Sequence, residues 1–411
     1  MAVLLAYCTF NLANVLYLRS SAWFVGLWLL SIGALFVFQR LVMAGREGLS
    51  ISRPELGGYL LVFLITMVVL SQPLLINSNR DLDGVDTLGN IKTIWMVSVL
   101  WLFAGGAASM FTWRESSAVA LAIGIILVMA FLQGLGLDGT VAYKDIRYDS
   151  DLSNISHLTL EKYVVILLAF AYSISHRTRW LVAFCGMLVL FTMGGRTALT
   201  VFALTVLFLN LRGRVGRNIL VMGLTGALVI FIGRHAIETG FIDIESKPVR
   251  DMLFLDGLEG DNSFNGRREL LLGGLKDLEQ QFWVGNFPLT VERNGYFSTY
   301  VHNILSAWQF YGFFVFLAII SALLYCLRRM VVAMRRKATP ATVFGAFMLI
   351  YVVISVVLAK SVMWNLLWFA IGYWLLKPLA PATHSVRSPR RRSGRRRRAR
   401  SASGTSDPLS A

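Results

Sequence analysis

The chain has 411 residues, 56% of them hydrophobic and only 15% charged, with a formal net charge of +16. A mean hydropathy of +0.63 over that length excludes a soluble domain, because too little polar sequence is left to cover so much apolar surface. The positive charge does not point to nucleic acid: much of it lies in the closing stretch SVRSPRRRSGRRRRARSASG and in short loops between apolar runs, where basic residues anchor membrane helices on the cytoplasmic side.

Apolar runs recur at lengths that cross about 30 Å of hydrocarbon as helices. Inside lipid each backbone polar group has to be satisfied within its own segment, so the helix is the default spanning element. The sequence therefore predicts an all-α, polytopic integral membrane bundle of about 12 transmembrane helices, near 2–18, 22–39, 57–76, 91–112, 116–135, 158–175, 179–194, 196–211, 217–233, 302–326, 341–360 and 362–377. The first of these lacks a basic leader and a small-residue cleavage site, so it is expected to be a spanning helix and not a removed signal peptide. Joints such as Arg114-Glu115 and His176-Arg177-Thr178-Arg179 are short, which makes consecutive helices antiparallel neighbours.

Lysine and arginine placement orients the bundle. With the N-terminus inside, the inner loops carry Arg40, Arg46 and Arg53, then Arg114, then Arg177 and Arg179, then Arg212, Arg214 and Arg217, then Arg328, Arg329, Arg335, Arg336 and Lys337. The C-terminal arginines also fall inside. The outer side receives NSNRDLDGVD, YKDIRYDSDLSNISH and the loop of residues 234–301. The chain thus divides into nine spans over 1–233, one large outer loop over 234–301, three spans over 302–377 and a tail over 378–411. In the loop, Arg267–Gln281 has leucines at helical spacing and is predicted to form an amphipathic helix against the outer face, ended by a turn at Gly285 and Pro288. The tail, rich in Pro, Ser and Arg, is expected to be disordered and to lie beside inner-leaflet anionic lipid.

Three basic residues stand out on the outer side. Arg196 follows an apolar run and two glycines (FTMGGRTALTVF), where the positive-inside rule disfavours a cation. Such an arginine either reaches the headgroups or meets an anionic ligand. Arg267 and Arg268 lie in NSFNGRRELLLGG and point about 100° apart on a helix, so one is expected to face a site and the other solvent. Arginine suits phosphate because its planar fork donates two parallel hydrogen bonds at any pH. His302, followed by Asn303 in STYVHNILSAWQFYG, is predicted to open the next span at the water boundary. An imidazole there is either a cap or a base for a hydroxyl group.

The sequence holds no G-x-x-x-x-G-K-[ST], no H-E-x-x-H and no Cys/His cluster at metal spacing, so neither a metal nor a cofactor is expected. Asp81, Asp83 and Asp86 are read as solvated charges, and Cys8, Cys185 and Cys326 as small packing residues. The predicted spans carry almost no ionisable residues, which speaks against a proton-coupled transporter or an exporter of lipid-linked glycan.

In order and on one side of the membrane, GGRTAL, the Gly266-Arg267 start of the loop helix with its Gly285 turn, and His302-Asn303 followed by Gly312 resemble the O-antigen ligase and polymerase superfamily of bacterial membrane glycosyltransferases, across nearly the whole chain. Leu271 stands where that pattern usually has tryptophan. The resemblance implies an enzyme of the bacterial inner membrane, with both termini cytoplasmic and a periplasmic site. Such an enzyme transfers a glycan from an undecaprenyl diphosphate carrier to a sugar hydroxyl, without metal and with inversion. It implies His302 as base, Arg196 and Arg267 on the diphosphate, Arg268 as a reserve phosphate contact and Asn303 orienting His302. The implied acceptor is a lipid A–core sugar, as in a ligase; a second carrier-linked repeat, as in a polymerase, is the alternative.

Overall fold

The computed structural model describes residues 53–75, 87–110, 123–124, 126–127, 157–175, 178–192, 196–210, 223, 231, 235, 262–286, 301–336 and 338–377. The predicted spans near 2–18 and 22–39, most of those near 116–135 and 217–233, most of the outer loop and the whole tail lie outside the described residues. So do Asp81, Asp83, Asp86, Cys8, Gly194, Gly195 and most of the basic residues used for orientation.

All regular structure among the described residues is helical: α1 Arg53–Leu75, α2 Thr87–Met110, α3 His157–Ile174, α4 Arg179–Thr192, α5 Arg196–Asn210, α6 Asn262–Gln280, α7 Ser306–Arg336, α8 Pro340–Leu358 and α9 Asn365–Leu375. Among the described residues four stretches are long and apolar enough to cross a membrane, Pro54–Ser71, Ile91–Met110, Ser306–Arg336 and Pro340–Leu358, and α4, α5 and α9 are shorter apolar helices. On α1 the residues Leu56, Leu60, Phe63, Met67 and Leu70 are exposed while Leu61, Ile65 and Val69 are buried. An outward apolar stripe at three-to-four-residue spacing over this length is stable against hydrocarbon, not water. The protein is a helical membrane protein.

The centre of the bundle is α8 and α9. From Leu366 to Leu375 every residue of α9 is buried, as expected of a helix that is apolar all round. Helix α9 touches α1, α2, α7 and α8, and α8 in turn touches α3, α5 and α7. The α2–α9 contact is backbone on backbone. A methyl group added at Gly105 would meet the Phe369 carbonyl oxygen at 2.0 Å, and one at Gly372 the Leu102 oxygen at 1.9 Å. Small residues allow this approach, and van der Waals contact between the helices replaces the hydrophobic drive that lipid removes. Aromatic residues with polar tips close the core: the Trp374 indole donates to the Gly345 carbonyl at 2.9 Å and the Tyr373 hydroxyl to the Ala341 carbonyl at 2.6 Å.

Helices α6 and α7 differ from expectation at their ends. Helix α7 begins at Ser306, not at 302, and runs to Arg336, ten residues past the predicted end. Arg328, Arg329, Arg335 and Arg336 are therefore helical and not loop residues. Arg329 donates to the carbonyls of Trp374 and Lys377, so a guanidinium satisfies acceptors left open at the end of α9. Helix α6 begins at Asn262, five residues before the predicted start.

Candidate functional site

The turn that precedes α7 is built by Asn303. Its side-chain oxygen accepts from the Leu305 amide at 2.8 Å, and its carbonyl accepts from the Ser306 amide at 3.1 Å and the Ser306 hydroxyl at 2.7 Å. This is the short polar loop a helix start requires. His302 consequently sits in the turn and not in the first turn of the helix as the sequence suggested. The Ser306 oxygen also accepts from the Val362 amide at 2.8 Å. That bond ties the joint between α8 and α9 directly to the His302 turn.

A second tie brings α6 to the same place. The Gln309 amide nitrogen donates to the Asp277 carboxylate at 2.9 Å, and the Gln309 oxygen accepts from the Val301 amide at 3.2 Å. Gln309, Asp277 and Val301 are all buried, so both bonds act where water cannot replace them. Gly274 lies flush on Val301. Arg267 is seven residues before Gly274, about two helical turns, and so lies on the same face of α6. Arg268 is rotated away by about 100°. Both arginines are exposed.

The chain leaving α6 is held by two glycines. At Gly312 the backbone adopts φ 82°, ψ 174°, a region essentially restricted to glycine, and α7 kinks there. A Cβ at Gly312 would lie 2.3 Å from the Trp283 carbonyl oxygen, and one at Gly285 would lie 2.3 Å from the Phe310 carbonyl carbon. Around this contact the Phe313 amide and the Trp308 indole donate to the Phe282 carbonyl at 3.3 and 2.7 Å, and the Asn286 amide to the Gln309 carbonyl at 3.0 Å. The glycines singled out in the sequence, Gly285 and Gly312, thus meet each other.

His302 is part-buried, and its imidazole pKa is lowered from 6.5 to about 4. Burial is the largest cause, followed by the positive charges of Arg267 and Lys360. Lys360, in the α8–α9 joint, forms an ion pair with Glu161 of α3 at 3.2 Å, with side-chain exposures of 12% and 4%. The Tyr351 hydroxyl donates to the other Glu161 oxygen at 3.2 Å, and the ammonium lies 5.5 Å from the centre of the Trp364 ring. The site therefore has a neutral, partly accessible imidazole with two cations close enough to act on it.

Of the residues predicted from sequence, Arg267 lies near enough for its charge to lower the His302 pKa, and Asn303 shapes the turn that carries His302 through its side-chain oxygen and its carbonyl. Arg196 opens α5, which packs along α8 with Phe202 and Phe347 ring centres 5.5 Å apart; its side chain lies outside the described residues. Lys360 and Glu161 are not among the residues the sequence singled out. The signal was present in LAKSVMW: a cation in a short joint on the outer side of the predicted topology breaks the positive-inside rule just as Arg196 does. No protein-family model matches the chain, and no curated protein matches it significantly.

Proposed function

We propose that the chain is a glycosyltransferase of the O-antigen ligase type, with about 12 spans in a bacterial inner membrane, cytoplasmic termini and a periplasmic site. It moves a glycan from undecaprenyl diphosphate to a hydroxyl of a lipid A–core sugar. What supports this most is the half-buried imidazole of His302, its pKa lowered to about 4 by burial and then by the charges of Arg267 and Lys360. An uncharged imidazole accepts a proton, and a guanidinium stabilises a leaving phosphate without metal.

In the reaction His302 takes the proton of the acceptor hydroxyl as that oxygen bonds to the anomeric carbon. The bond from that carbon to the diphosphate oxygen breaks on the opposite face, so the configuration inverts. Arg267 and Arg196 hold the departing diphosphate, which keeps its electron pair. No nucleotide is needed because the lipid diphosphate already carries the activation.

Analysis of glycolipids in a strain lacking the gene tests this. Loss of glycan from lipid A, with long chains retained on the carrier, is the expected result and identifies the ligase. Single repeats on lipid A identify the polymerase instead. Unchanged glycolipids on both refute glycan transfer.

A further inference from the structure

The geometry points to Lys360 as a further phosphate-binding residue of this site, with Glu161 taking one ammonium hydrogen and the donor diphosphate another. The inference rests on the transferase reading above and adds a residue that the sequence pattern does not assign.

Three observations carry it. First, the Val362 amide to Ser306 bond of 2.8 Å and the Ser306 to Asn303 bond of 2.7 Å fix the α8–α9 joint against the His302 turn, so Lys360 is held near the proposed base by backbone. Second, the ion pair with Glu161 at 3.2 Å occupies one acceptor, whereas an ammonium carries three donors. Tyr351 holds the other oxygen of Glu161 at 3.2 Å, so the carboxylate is fixed as a seat for the lysine. Third, the positive charges of Arg267 and Lys360 both lower the basicity of His302. A diphosphate bound at Lys360 offsets them, and its negative charge restores basicity to His302 at the moment a base is needed.

A purely structural ion pair is the competing explanation. Buried pairs contribute little stability relative to apolar replacements of the same size, and that explanation does not account for the pair's position beside His302.

The test uses the full-length protein in nanodiscs, with undecaprenyl diphosphate and undecaprenol as probes. Lys360→Ala is expected to weaken diphosphate binding by about tenfold or more, with undecaprenol binding unchanged, and Lys360→Arg to keep most of the affinity. Where Lys360→Ala lowers folding yield by stranding Glu161, the pair Glu161→Gln with Lys360→Met removes both charges and is expected to show the same selective loss. Wild-type diphosphate affinity in these variants overturns the role of Lys360 and leaves the donor site standing. Equal loss for both lipids makes the lysine structural and also overturns it. If the wild-type protein does not prefer the diphosphate over the alcohol, the donor reading fails and Lys360 falls with it.

Discussion

Replacing Gly312 by alanine tests whether the glycine contact holds the site together. At φ 82°, ψ 174° an L-residue costs about 1–3 kcal/mol. The added methyl group would lie 2.3 Å from the Trp283 oxygen, and ordinary contact begins at 3.4 Å, so the 281–286 bend has to retreat by about 1 Å. The Phe313 to Phe282 and Asn286 to Gln309 hydrogen bonds, at 3.3 and 3.0 Å, then weaken or break at about 0.5–1.5 kcal/mol each. The expected destabilisation is about 2–6 kcal/mol, measured as a lower unfolding midpoint in bicelles. The bend continues directly from α6, so the displacement carries Arg267 away from His302, and glycan transfer by the folded fraction should fall as well. Gly57→Ala serves as the control: nothing lies within 4 Å of a Cβ there, and alanine in a helix gains about 0.5–1 kcal/mol over glycine. If Gly312→Ala matches wild type in both midpoint and transfer, the Gly285–Gly312 contact does not position the site.

Arg267→Lys should lose most transfer, because a point charge does not replace a bidentate fork, while Arg268→Lys should lose less; equal effects would place both arginines at the site. For His302, depression from 6.5 to about 4 means the imidazole is unprotonated down to about pH 4, so the acid limb of kcat/KM should lie near pH 4. The sign for stability follows: the unfolded chain takes up this proton below 6.5 and the folded chain does not until about 4, so this contribution, full above 6.5, is lost as pH falls across that window. Lys360→Met should move the acid limb upward, and a limb that stays in place would show that its charge does not reach His302. Gln309→Leu removes a buried bond to a carboxylate and one to a backbone amide and should destabilise by about 2–4 kcal/mol. A double-mutant cycle with Asp277→Ala should return a coupling of about 1 kcal/mol or more; no coupling would mean that the 2.9 Å bond contributes nothing.

The membrane class and the existence of the described helices could be read in the sequence, because lipid imposes one rule on every spanning segment: a run of apolar residues long enough to satisfy its own backbone. Arg267, His302, Gly285 and Gly312 could likewise be picked out, because a cation, an imidazole and a glycine turn fall in order on one outer side, a pattern that the family resemblance extends to Gly312. What joined them could not. That Gly285 faces Gly312, that Gln309 bridges Asp277 to Val301, and that the α8–α9 joint is tied to the His302 turn are contacts between residues far apart in sequence, set by how the helices pack. The Glu161–Lys360 pair spans 199 residues, and the sequence does not show which carboxylate the lysine meets until the bundle is assembled. Local hydropathy fixes a helix and its length through nearest-neighbour backbone bonding, whereas the electrostatics of a site depend on distances that only the assembled bundle sets.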